Sequence, residues 1–223
     1  MAKRVIHNPA DGEQTTGDGF ASLEHFAEVA EAAAATTKKL EKTALLGDYF
    51  NHLNDSDLAR AVRYFAGHQF ALSDSRTTNV GGSIISAALC EATGFSIEEL
   101  LPRYVRLGDA GEAAYEAVKE AKHTYQRPTI SLAETESIIT RLSETSGIKN
   151  KTNLLATALH HATPLEAKYL VKLLAGDLRI GLREGLVEDA VARAFNQPTS
   201  CHVCWLGDVT LAAVPGRFSK LKP

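Results

Sequence analysis

From Phe20 onward, apolar residues recur three and four positions apart, in short runs broken by polar or glycine-bearing steps. That spacing places each run on one face of a helix. Phe20, Leu23, Phe26 and Ala27 open the series, and after an alanine-rich stretch Leu40, Leu45, Leu46, Tyr49, Phe50 and Leu53 predict a second helix. Asp55 or Ser56 can cap a third, whose stripe is Leu58, Ala61, Val62, Phe65 and Ala66, up to Gly67. After the polar stretch 73–79, Gly81-Gly82 lead into a helix carrying Ile84, Ile85, Ala88 and Leu89, which ends near Gly94. Ser96 and Glu99 form a capping box for a short helix.

The second half continues in the same way. Leu107-Gly108-Asp109-Ala110-Gly111 is a tight glycine turn that launches a helix from Glu112 to Lys122, and Arg127-Pro128 breaks the chain. Ser131 or Thr135 starts a helix on Ile138, Ile139 and Leu142, stopped by Ser146-Gly147, and Asn150 opens one through Leu154, Leu155, Ala158 and Leu159. Thr163-Pro164-Leu165-Glu166 is the cleanest start signal, a capping box around a proline at the first helical position. Its helix carries Ala167, Leu170, Val171 and Leu174 toward Gly176, and the run 178–185 separates it from a last helix on Leu186, Val187, Ala190, Val191 and Ala194. No segment alternates with period two for long enough to demand a sheet. The expectation is an all-α, multi-helix array. The glycine turns at 107–111 and 178–185 echo each other, which two similar helical lobes would explain; chance would explain it too, because such turns are common.

Outside this array, residues 1–19 are rich in Gly, Asp, Thr and Asn and are expected to form a disordered arm before a helical domain over 20–196. Residues 197–223 hold Pro198, Gly207, Pro215, Gly216 and three late basic residues, which is linker chemistry. A hydrophobic share of 44% is enough to fill a core. No apolar run is long enough to span a bilayer, and no apolar stretch follows Lys3 and Arg4 as a secretory signal would require. Three cysteines are too few for a disulfide framework, so a reducing, cytoplasmic location is expected.

A net charge of −3 argues against a protein coated in positive charge. Its distribution changes that picture. From Ser146 to Arg183 there are six basic residues (Lys149, Lys151, Lys168, Lys172, Arg179, Arg183) against Glu166 and Asp177, a local +4, which leaves −7 for the remainder. Such asymmetry suggests one face made for an anion. Two other clusters carry weaker signals. Cys201-His-Val-Cys204 has the spacing of half a zinc site, but no second pair follows and the remaining candidates are Cys90 and histidines such as His160 and His161, so no metal site is expected. His160-His161 lacks a nucleophile nearby and reads as a helix-surface pair.

The segment Glu166-Ala-Lys-Tyr-Leu-Val-Lys-Leu-Leu-Ala-Gly-Asp-Leu-Arg-Ile-Gly-Leu-Arg-Glu-Gly185, followed by an alanine-rich helix, resembles the signature of the N-terminal DNA-binding domain of ATP-dependent DNA ligases. Ser146-Gly-Ile-Lys-Asn-Lys151 is similar to that family's Ser-Gly-x-x-x-Lys turn. Upstream, Asn79-Val-Gly-Gly-Ser83 and the glycine turn at 107–111 stand in the order the domain requires. The resemblance implies a domain that grips duplex DNA, nicked and at the minor groove, without reading sequence. It would act in repair, replication or recombination beside a catalytic domain supplied in cis or in trans.

In that family the nucleotide is attached to the lysine of a Lys-x-Asp-Gly motif, and no lysine here is followed by x-Asp-Gly. ATP and Mg²⁺ would therefore belong to a catalytic domain absent from this sequence, no residue here is assigned a catalytic role, and the chain is expected not to ligate alone. Physical reasoning adds candidate contacts. Backbone N–H groups can approach phosphates closely where side chains are small, which points to Gly81, Gly82, Gly108, Gly111, Gly147 and Gly181. Arg179 and Arg183, four apart, share a face if their turn is helical, and Lys149 and Lys151 would add mobile positive charge. Two readings compete with DNA binding. One is a helical protein-interaction scaffold presenting an apolar groove; the other is an enzyme in its own right, which would have to adenylate or hydrolyse unaided.

Overall fold

The computed structural model describes residues 19–121 and 129–195, and within them the chain forms ten α-helices and no strand. They are α1 (Leu23–Ala35), α2 (Lys39–Asn51), α3 (Asp55–Phe65), α4 (Gly82–Thr93), α5 (Ile97–Leu107), α6 (Ala110–Glu120), α7 (Leu132–Glu144), α8 (Ile148–His161), α9 (Pro164–Ala175) and α10 (Glu184–Ala194). All of the expected 1–19 arm but Gly19, and the linker at 197–223 with Cys201-His-Val-Cys204, lie outside the described residues.

Helix starts follow the side chains able to satisfy free N–H groups. The capping boxes at Ser96, Ser131 and Thr163 all form, with Glu99, Glu134 and Glu166 reaching back. Ser22 and Ser131, the caps of α1 and α7, sit side by side. The residues around them exchange backbone bonds, Leu23 N–H to the Ile130 carbonyl at 2.6 Å and Leu132 N–H to the Ala21 carbonyl at 2.8 Å. Three starts differ from expectation by a residue or two. Asn54, not Asp55 or Ser56, accepts from the Asp57 N–H and caps α3. Asp109 caps α6 by accepting from the Gly111 and Glu112 N–H groups, which moves its start forward to Ala110. At α8 it is Gly147, in the left-handed region, that turns the chain, so the helix begins before Asn150. In α2 the buried stripe is Lys42, Thr43, Leu46, Gly47, Tyr49 and Phe50, while Leu40 is 77% exposed.

Helix α9 is the centre of the packing: every residue from Glu166 to Leu174 is buried. Helices α6 and α1 pack against it, while α2 pairs with α10 and α4 with α8. One continuous core draws on all ten helices, so the two glycine turns do not mark separate cores. Close approach is bought with small residues. A methyl on Gly111 would come within 2.6 Å of Lys172 Cγ and 2.8 Å of the Lys168 carbonyl, and one on Gly47 within 3.3 Å of the Ala190 carbonyl.

Burying α9 also buries its charges, and each is matched. Glu166 accepts from the Ile130 N–H at 2.6 Å and the Thr163 N–H at 2.9 Å. Lys168 Nζ lies 2.6 Å from Glu31 and 2.7 Å from Glu112, and Tyr169 Oη donates to Glu31 at 2.9 Å. Lys172 Nζ donates to Asp109 Oδ2 at 2.8 Å. Burial opposes ionisation of Asp109, but the Lys172 ammonium and the Glu112 and Gly111 N–H groups outweigh it and hold the carboxyl below its ordinary value. Glu31 is likewise held low, with burial overcome by Lys168 and Tyr169.

Two outcomes follow. Truncating Glu166 to Ala leaves one buried and one half-buried N–H group without that acceptor and should cost about 2–4 kcal/mol in urea unfolding. A depressed folded pKa gives stability that is complete above the ordinary carboxylate range and lost as pH falls through the folded value. Unfolding midpoints taken from about pH 6 to about pH 2 should therefore drop, and Asp109→Asn should flatten that drop.

Candidate nucleic-acid interface

Three glycine-bearing turns gather around the C-terminal end of α9. Gly81 and Gly82, at the start of α4, share a cleft with Ala110, Tyr104, Leu174 and Ala175. Gly108, left-handed at φ 63°, ends α5, and its carbonyl accepts from Arg179 Nη1 at 2.7 Å. That contact joins it to the third turn, residues 176–183, which leaves α9 at left-handed Gly176 and enters α10 at Arg183. Gly147 and Lys149 are exposed at the start of α8 and reach the group through Lys151, whose ammonium donates to the Thr78 carbonyl just before Asn79-Val-Gly-Gly.

The exposed candidates are Gly81, Gly82, Gly108, Gly147, Lys149, Arg179, Gly181 and Arg183. Several expectations need correction. The turn 176–183 is not helical, because Arg179 at φ 52° and Gly181 at φ 65° both sit in the left-handed region, so the four-residue spacing of Arg179 and Arg183 does not create a helical face. Instead, Arg179 clamps the neighbouring turn and also meets Asp177 at 3.4 Å, while Arg183 is an exposed N-cap. Lys151 is only 8% exposed and hydrogen-bonded, so it is a structural tie and not mobile charge. Lys168 and Lys172 are buried in ion pairs. The local +4 of the sequence therefore presents only Lys149, Arg179 and Arg183 to solvent. Gly111 is buried against α9, where packing alone requires glycine.

Gly81 and Gly82 are different. Both are exposed, neither has positive φ, and an added methyl at either would meet nothing within 4 Å. Nothing inside the fold requires glycine there.

Each turn is held from behind by a buried lysine. Lys151 fixes the Thr78 carbonyl, Lys172 fixes Asp109, and Lys42 of α2 donates to the Ile180 carbonyl at 2.7 Å and the Gly181 carbonyl at 3.3 Å. Gln69 adds a further tie, donating to the Leu173 and Leu174 carbonyls and accepting from Thr78. Sequence reasoning missed Lys42 and Asp109. The available signals were a lysine in register with Leu46 and Phe50 on the apolar stripe, and an aspartate directly before a helix.

The model of the family described as DNA ligase N terminus matches residues 22–192. The chain belongs to that family. Among curated relatives, it is 35% identical over 175 residues to a probable DNA ligase of Koribacter versatilis, covering 78% of this chain and 30% of that protein. A probable DNA ligase of Opitutus terrae is 34% identical over 79% of this chain and 20% of its own length, and the DNA ligase of Archaeoglobus fulgidus 32% identical over 76% and 32%. The chain thus spans between a fifth and a third of these relatives. The matched region contains all three turns and begins at Ser22, the cap of α1. His160 and His161, the pair noted in the sequence, lie exposed with their rings edge to face at 5.3 Å. No group of three or more potential metal ligands occurs among the described residues, and none of the described helices is long and apolar enough to cross a membrane.

The glycines separate by experiment. Gly111→Ala should lower stability by about 1–3 kcal/mol because the methyl overlaps α9, whereas Gly82→Ala should change it by less than about 0.5 kcal/mol. Thermal denaturation of the two variants checks both values.

Proposed function

We propose that this chain binds duplex DNA along its phosphate backbone, without reading sequence, as the DNA-holding part of an ATP-dependent ligase. The observation that carries the reading is the pair Gly81-Gly82: exposed glycines that the fold itself does not need, at the start of a helix that no side chain caps. Such a site accepts an anion through the backbone and demands that it come close. Gly108, Arg179, Gly181 and Arg183 extend the same surface. Phosphate contacts of this kind fix position on a duplex and carry no base information. They also explain how a chain of net charge −3 could hold DNA, since the donors are mostly main-chain dipoles and not lysines.

Within this reading the DNA is nicked and approached from the minor groove, and the partner is a catalytic domain in cis or in trans. Adenylation and the ATP and Mg²⁺ it uses belong to that partner, since no lysine in the sequence precedes x-Asp-Gly. The role falls within DNA repair, replication or recombination.

One observation favours a second reading, the protein-interaction scaffold: α5 leaves Ile97, Leu101, Tyr104 and Val105 exposed on its surface. Salt separates the two. Duplex affinity measured by fluorescence anisotropy should fall with a log–log slope of about −0.9 per phosphate neutralised, equally for unrelated sequences. Arg183→Ala and Lys149→Ala should each reduce that slope by about one, whereas Lys151→Ala should lower stability and leave the slope alone. No duplex binding at low salt would sink the DNA reading.

A further inference from the structure

Lys42 is a buried lysine whose hydrogen bonds go to two successive carbonyls of one turn of the proposed interface. It is 6% exposed, and its ammonium donates to two successive carbonyls, those of Ile180 and Gly181. Among the described residues these two carbonyls are its partners and no carboxylate pairs with it. A buried ammonium satisfied only by main-chain oxygens fixes the orientation of the peptide units it binds.

The consequence follows from peptide geometry. In a planar trans unit the C=O and N–H point in opposite directions. With the Ile180 and Gly181 carbonyls turned inward to Nζ, the N–H groups of Gly181 and Leu182 turn outward. Among the described residues neither finds a backbone acceptor. Gly181 is exposed and has no side chain to cover them. Two adjacent outward N–H groups beside a left-handed residue form an anion-binding concavity. The ammonium behind them also polarises both peptide units, drawing electron density toward the carbonyl oxygens and leaving the N–H ends more positive.

The distance is set by the fold. Lys42 stands on α2, whose Gly47 lets the helix approach α10 until a methyl there would meet the Ala190 carbonyl at 3.3 Å. A methyl on Gly181 would meet Nζ at 3.0 Å. Helix α10 begins directly after the turn, so the α2–α10 contact holds Nζ under the same two peptides.

We propose that Lys42 is a positioning residue for DNA binding: it touches no DNA itself and aims the Gly181 and Leu182 N–H groups at a phosphodiester oxygen. The role rests on the DNA reading above. The test uses the 223-residue chain, a duplex oligonucleotide as probe, and Lys42→Met, which keeps the side chain's length and removes its donors.

In the wild type, duplex titration should shift the Gly181 and Leu182 amide resonances. In Lys42→Met, with helical circular dichroism retained, those shifts should vanish and affinity should fall roughly tenfold or more. The salt slope should stay the same, because the lost charge never met a phosphate. Gly181→Ala, strained at φ 65° and crowding Nζ, attacks the same contact from the other side and serves if Lys42→Met does not fold. Wild-type affinity with unchanged amide shifts in whichever variant folds overturns the role of Lys42 and leaves the DNA reading standing. Absence of duplex binding by the wild type overturns both.

Discussion

The structure depends on one constraint: a helix buried on every side that carries a glutamate and two lysines. Helix α9 cannot be covered by apolar surface alone, since an unpaired charge in an interior is far more costly than any single apolar contact is favourable. Each of its charges therefore draws in a specific neighbour. Glu166 binds the N–H of Ile130 and so fixes the start of α7, Lys168 takes Glu31 from α1 and Glu112 from α6, and Lys172 takes Asp109 at the cap of α6. Apolar packing could be satisfied by several arrangements of ten amphipathic helices. The charge matching narrows them to one register around α9.

That same matching shapes the surface. Asp109 is at once the partner of Lys172 and the cap that accepts from Gly111 and Glu112, so core electrostatics sets where α6 starts and where the Gly108 turn lies. Arg179 then bridges from its own turn to Gly108. The chain's glycines divide accordingly. Gly47 and Gly111 serve helix contacts, and Gly108, Gly176 and Gly181 serve left-handed backbone. Gly81 and Gly82 serve neither, and on the proposed reading they leave main-chain donors open to an outside anion.

A surface of this kind relies on preorganised backbone. The lysines under the turns are buried and present no charge to solvent; they hold the Ile180, Gly181 and Thr78 carbonyls inward. On the proposed reading an acidic chain offers a phosphate-binding face without a basic coat, and the exposed cations of the 146–183 segment, Lys149, Arg179 and Arg183, add long-range attraction.

The sequence by itself determined the helical class, the order of the elements and most of their starts, because helix periodicity and capping boxes are local: Ser96, Ser131 and Thr163 each act within three residues. It also carried the family, through the run from Glu166 to Gly185. It misjudged the charges. Lys151, Lys168 and Lys172 read as a basic patch, and Leu40 as core, because burial depends on which face of a helix meets a partner distant in the chain. Lys42 lies 138 residues from the carbonyl it binds, and no local pattern could pair them. Tertiary structure alone decided which lysines are buried ties and which glycines are free of internal duty, since both are properties of neighbours that only folding brings together.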